Sequence, residues 1–128
     1  MSTNRVFTLR DSVYGASVLV LAESDITVVQ ASLKVLAPRY VSDECNDWRG
    51  CTWALGEADG AKPKTFIVAL KSWDAKNPED IGVLVHEMLH VTAALFREIG
   101  MKLNSGSEEA YTYFHEWLVV EALKGLNS

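Results

Sequence analysis

The chain lacks several things, and each absence narrows what it can be. Its first residues, Met1-Ser2-Thr3-Asn4-Arg5, contain no apolar core of a secretory leader, and the longest early apolar run, Ala16 to Ala22, is too short to span a bilayer. A cytoplasmic protein with no membrane partner is the expectation. There is no basic stripe to follow a phosphate backbone: acidic and basic residues are mixed along the whole length, and the formal charge is -5. Nucleic acid is therefore not an expected partner. No repeat, low-complexity tract or Pro/Gly-rich linker divides the 128 residues, so one domain spanning 1–128 is expected. Cysteine is scarce: only Cys45 and Cys51 are present. They could close one loop as a disulfide in an oxidising compartment, but without an export signal they read as reduced thiols, and their spacing is wider than that of usual structural zinc pairs.

What is present is an ordinary globular composition, 48% hydrophobic and 23% charged, enough to fold on its own core. Arg5 to Leu9 and Ser17 to Leu21 have strand character, one alternating and one continuously apolar. Ser24-Asp25 caps a helix carrying Val28, Ala31, Leu33, Val35 and Leu36, with Pro38 beyond its end. The polar stretch Tyr40 to Gly50 reads as a loop bordering a site, with Trp48 as its anchor. Cys51 to Leu55 and Thr65 to Leu70 then form two strands across a turn-rich segment, a hairpin.

In the last third the apolar period changes from two to 3.6. Asn77-Pro78-Glu79-Asp80 supplies a cap, a first-turn proline and acidic residues at the positive helix end. Ile81, Leu84, Val85, Met88, Leu89, Thr92, Leu95, Phe96 and Ile99 continue one face up to Gly100. A last helix opens at Asn104-Ser105-Gly106-Ser107 and carries Ala110, Tyr113, Phe114, Trp117, Leu118 and Leu123. The short connection makes the two helices neighbours. The fold class expected from these elements is α+β, with about three helices.

Two of the three histidines stand four apart on the clearer helix, in His86-Glu87-Met88-Leu89-His90. That spacing stacks both imidazoles on one face, where they can bind one zinc ion. Glu87 projects about 100° round the helix, placed for a general base rather than a ligand. Chance would produce this pattern in under about one chain in a hundred of this size. The long metzincin form is excluded, because Ala93 and Phe96 stand where it needs glycine and histidine. A third ligand must come from the next helix, where Glu108 and Glu109 stand at the start and His115 shares the face of Glu108. Tyr111 and Tyr113 offer phenols for a developing oxyanion, although aromatic residues at helical spacing are more often core.

The strand Thr65-Phe66-Ile67-Val68-Ala69-Leu70, the helix bearing Leu84-Val85-His86-Glu87-Met88-Leu89-His90 and the run Ser107-Glu108-Glu109-Ala110-Tyr111-Thr112-Tyr113 together resemble the small gluzincin-like metallopeptidase-related proteins of bacteriophages and prophages. The resemblance implies a minimal zincin core, a small mixed sheet packed on about three helices, with the motif on the penultimate helix. It implies zinc on His86, His90 and Glu109, Glu87 as base, and Glu108 capping the helix or supporting the ligands. It also implies that Thr65, Phe66, Ile67, Val68, Ala69 and Leu70 present a peptide substrate by strand addition. Larger gluzincins close the cleft with a second lobe for which this length leaves no room. A non-catalytic zinc protein of phage structure or assembly, binding a phage or host protein through aromatics such as Trp48 and Trp73, is the alternative expectation.

Overall fold

The computed structural model of the chain describes residues 5–40 and 48–128. The fold is α+β. Strands β1 (Arg5–Arg10) and β2 (Ser17–Ala22) lead to helix α1 (Ile26–Leu36), strands β3 (Gly50–Leu55) and β4 (Thr65–Leu70) follow, and helices α2 (Pro78–Glu98) and α3 (Glu108–Leu126) complete the chain. The four strands form one sheet in the order β1-β2-β4-β3. Its outer pairs are antiparallel and its central pair, β2 with β4, is parallel.

Strand alternation sorts the core into two clusters, one on each face. Val18, Val20, Phe66, Val68 and Leu70 meet Leu84, Met88, Val91, Leu95, Phe114 and Leu118. Leu21, Ile67 and Ala69 meet Val29 and Leu33 of α1. Helices α2 and α3 thus cover one face and α1 the other. All six residues of β4 are buried, as a strand covered on both faces requires. Trp48 is buried in the α1-side cluster, the anchor expected of it. Trp73 packs against the other cluster and donates its indole N–H to Asn127 Oδ1 at 2.9 Å. Trp48 is therefore not an exposed aromatic, whereas Trp73 is half-buried.

Helix α2 carries the motif and is held firmly. Asn77 accepts the Glu79 amide at 3.0 Å as N-cap, with Pro78 in the first turn. Buried Asp80 accepts from the Ser72 hydroxyl at 3.0 Å and the Asp74 amide at 2.8 Å, tying the helix start to the end of β4. Leu84, Met88, Val91, Leu95 and Phe96 are fully buried along its length. At about 1.5–3 kcal/mol each, their burial gives the helix little freedom to roll. Thr92, on the same buried side, satisfies its hydroxyl on the Met88 carbonyl at 2.9 Å. The helix stops where Gly100 takes a left-handed φ of 78°.

Helix α3 docks through Phe114, Leu118, Ala122 and Leu126, a four-residue repeat facing the sheet. Gly125 lies directly on the Phe7 ring, and any Cβ there would collide with it. A ring cluster locks α3 to α2: Phe96 stacks on Tyr111 with centroids 4.3 Å apart and meets Phe114 edge-on at 5.8 Å. Among the described residues no helix is long and apolar enough to cross a membrane.

Candidate metal centre and cleft

Because Leu84, Met88, Val91 and Leu95 claim the sheet-facing side of α2, His86 and His90 are turned outward. Both are exposed. Their Nε2 atoms approach to 3.2 Å, with the rings steeply inclined at 76°. Two nitrogens at about 2.0–2.1 Å from a tetrahedral zinc stand about 3.3 Å apart, so this convergence fits a shared cation. Among the described residues no group of three or more His, Cys, Asp or Glu side chains is gathered that could hold a metal.

Glu87 has a different environment. Its side chain is only 8% exposed, against 67% for His86. The Thr52 hydroxyl of β3 donates to its Oε1 at 2.7 Å, which satisfies one carboxylate oxygen. The other, Oε2, lies 3.8 Å from His86 Nε2. The carboxylate is thus fixed by one oxygen with the second turned to His86. This approach depends on Gly50: a Cβ there would stand 2.7 Å from Val83 Cγ1 and 2.9 Å from Glu87 Cγ. Only glycine lets β3 lie this close to α2. Neither Gly50 nor Thr52 was expected at the site, and no local pattern could have exposed them, because their partners lie more than thirty residues away.

Between β3 and α2 runs a groove in two stretches that share Gly50, His86 and Glu87, with cavity volumes of about 620 and 440 Å³. The first extends past Arg49 and Glu79, which pair at 3.2 Å in exposed positions, and the second past His90 and Ala94 to Arg97. These volumes suit a small ligand or a peptide segment. On the opposite flank of α2 lies a third groove of about 390 Å³, lined by Leu89, Leu103, Tyr111, Thr112, Glu108 and His115 among others. His115 Nε2 lies 3.2 Å from the carbonyl of Val85, the residue before His86. Glu109, about 100° round α3 from Glu108, is exposed and lines none of the three. The helix phase brings Glu108 and His115, rather than Glu109, to the flank of α2.

Three expectations need correction. The strand Thr65–Leu70 cannot take a substrate by addition, because both of its edges are already paired, with β2 and with β3. Among the described residues, the strand beside the motif with an unpaired edge is β3. Tyr111 and Tyr113 are not placed as oxyanion donors. The Tyr111 hydroxyl donates to the Met101 carbonyl at 3.2 Å, and Tyr113 lines a separate groove with Arg10, Val13, Tyr14 and Trp117. Finally, Cys51 is disulfide-bonded, not a reduced thiol, and it lines the β3 groove. Cys45 and most of the loop expected from Tyr40 to Gly50 lie outside the described residues.

No protein-family model, curated protein or solved structure matches the chain.

Proposed function

We propose that the chain is a zinc-dependent hydrolase, a peptidase of the gluzincin kind, acting on an extended peptide held between β3 and α2. One observation carries this reading: two histidine Nε2 atoms 3.2 Å apart stand beside a buried carboxylate, on the wall of an open groove. His86 and His90 would hold the metal, with a third protein donor from α3. Glu108 and His115 line a groove with Leu89 of α2 and Glu109 does not, while none of the three is gathered with His86 and His90 in this structure. Zinc bound there supplies Lewis acidity, acidifying water and polarising a carbonyl.

The remaining work belongs to the chain. Glu87 takes the proton of the attacking water on Oε2 and returns it to the leaving amine, while the Thr52 hydroxyl on Oε1 keeps the carboxylate from swinging away. The edge of β3 that pairs with no strand among the described residues would offer backbone N–H and C=O groups to an extended substrate, which gives capture without a requirement for sequence. Gly50 keeps that edge against the helix.

Metal analysis combined with a Glu87→Gln variant tests the reading. One zinc per chain is expected in both proteins, with cleavage of a peptide mixture about 10²–10⁴-fold slower in the variant. A metal-free protein, or a variant as active as the parent, sinks it. Stoichiometric zinc with no cleavage by either protein would instead support the non-catalytic zinc protein of phage structure or assembly.

A further inference from the structure

The β3 groove is asymmetric in charge. At one end Arg49 is paired with Glu79. At the other, Arg97 lines the same stretch as His86, Glu87 and His90 and takes part in none of the ion pairs among the described residues, which join Arg49 to Glu79, His86 to Glu87 and Lys124 to Glu121. A cation in the last turn of a helix is favoured by the helix dipole. That accounts for its presence in the turn but not for its place in the groove. Helical phase does: Arg97 lies seven residues after His90, nearly the same direction round α2.

We infer that Arg97 selects substrates by binding a carboxylate on the peptide that occupies the groove. This rests on the proposed peptide-binding role of the groove and adds a substrate class to it: extended peptides with an acidic group at a fixed distance from the reacting bond. The distance follows from helix and strand geometry. Arg97 lies nine residues beyond the level midway between His86 and His90, about 13 Å along the axis. Allowing for the reach of its side chain back along the groove, an extended peptide covers that span in about two to four residues.

The direction follows from contacts. Gly50 meets Val83 and Glu87, Thr52 meets Glu87, and Ala54 shares the stretch that ends at Arg97, so β3 runs alongside α2 in the same sense. Antiparallel addition to β3 is the more stable pairing and directs the peptide's N-terminal side toward Arg97. The carboxylate is then an acidic side chain two to four residues upstream of the bond cut. Parallel addition would bring a C-terminal carboxylate there instead. The chain's net charge of -5 offers an acidic peptide no general attraction, so any preference for one must come from local contact.

The test uses fluorescein-labelled ten-residue Thr/Val/Ala peptides and the zinc-loaded protein. One set has a C-terminal amide and carries either Glu or Gln at each position in turn. A second set carries neither residue and ends in either the acid or the amide. Binding is followed by anisotropy, and cleavage of the same peptides by mass spectrometry. The Glu peptide should bind roughly two- to five-fold more tightly than its Gln twin at one or two neighbouring positions, as expected for an exposed ion pair. Arg97→Gln should erase the difference and Arg97→Lys retain part of it, with zinc content unchanged in both. A preference for the terminal acid that depends on Arg97 upholds the carboxylate site with the peptide reversed. Equal binding of the twins, a preference that survives Arg97→Gln, or no binding at all overturns it. Peptides bound with the Arg97-dependent preference but never cut would leave this site standing and remove the hydrolase reading. Peptides cut without any preference would do the reverse.

Discussion

Helix α2 has two flanks, and they are built on different principles. Toward β3 the chain has sacrificed a side chain at Gly50 to bring a strand edge against the helix, and it has committed the Thr52 hydroxyl to one oxygen of Glu87. Toward α3 the contact is aromatic and apolar, through Phe96, Tyr111 and Phe114, and the polar groups Glu108 and His115 lie at its margin. Close packing with a specific hydrogen bond fixes a functional atom, whereas ring packing fixes the helix and leaves its marginal polar groups freer. On the proposed reading, the base is defined by the first flank, and the third metal donor would come from the second.

The sharpest way to break this contrast is to remove donors one at a time and measure zinc affinity by competition with a chelating dye. His86→Ala and His90→Ala should each weaken binding by more than the roughly 10–100-fold that follows loss of a supporting outer partner. On α3, His115→Ala or Glu108→Ala should weaken it too, and Glu109→Ala should not. Loss with Glu109→Ala alone would mean that α3 is turned by about 100° from the phase described.

Paired hydroxyl deletions come next. Thr52→Val leaves the buried Glu87 carboxylate without its donor and should cost about 1.5–3 kcal/mol in denaturant unfolding, as for hydrogen bonds to charged groups. Tyr111→Phe removes a neutral, half-buried bond to a carbonyl and should cost about 0.5–1.5 kcal/mol. Equal effects would erase the distinction between the flanks.

Two glycines of the β3 groove sharpen it further. Gly50→Ala forces a Cβ against Val83 and Glu87 and should destabilise by about 1–3 kcal/mol. At Gly82, in α2, a Cβ would meet nothing within 4 Å, so Gly82→Ala should stabilise by about 0.5–1 kcal/mol through helix propensity.

The smallest effect is expected far from either flank. The Thr27 hydroxyl, and then the Thr27 amide, hold the Asp25 carboxyl at the start of α1 below its usual 3.8. A depressed folded-state pKa stabilises above the unfolded value and is lost as pH falls through the folded one. A slight loss of stability below pH 3.8 that is absent in Asp25→Ala, read by thermal unfolding in acid, checks the sign.

Much of this could be read from residue order because it depends on local physics. The caps at Asp25 and Asn77, the stop at Gly100, the hairpin of β3 and β4, and the paired faces of α2 and α3 all follow from periodicity and terminal chemistry within a few residues. The motif histidines were legible for the same reason: a four-residue spacing on a helix dictates their convergence. Strand order was not. The continuous apolar run of β4 is that of a strand buried on both faces, yet periodicity does not say which strands flank it, or that both of its edges are paired.

By itself the sequence determined the helix that carries His86, Glu87 and His90, and which way those three side chains point from its axis. Only the tertiary structure decided what surrounds them: that among the described residues the outer edge of β3 is unpaired, that Thr52 and Gly50 attend Glu87, that Arg97 ends the groove, and that Glu108 and His115 rather than Glu109 line the groove beside Leu89. The physical reason is range. Helix geometry is set by hydrogen bonds four residues apart, whereas strand neighbours and the rotation of one helix against another are set by which buried surfaces fit across the whole chain.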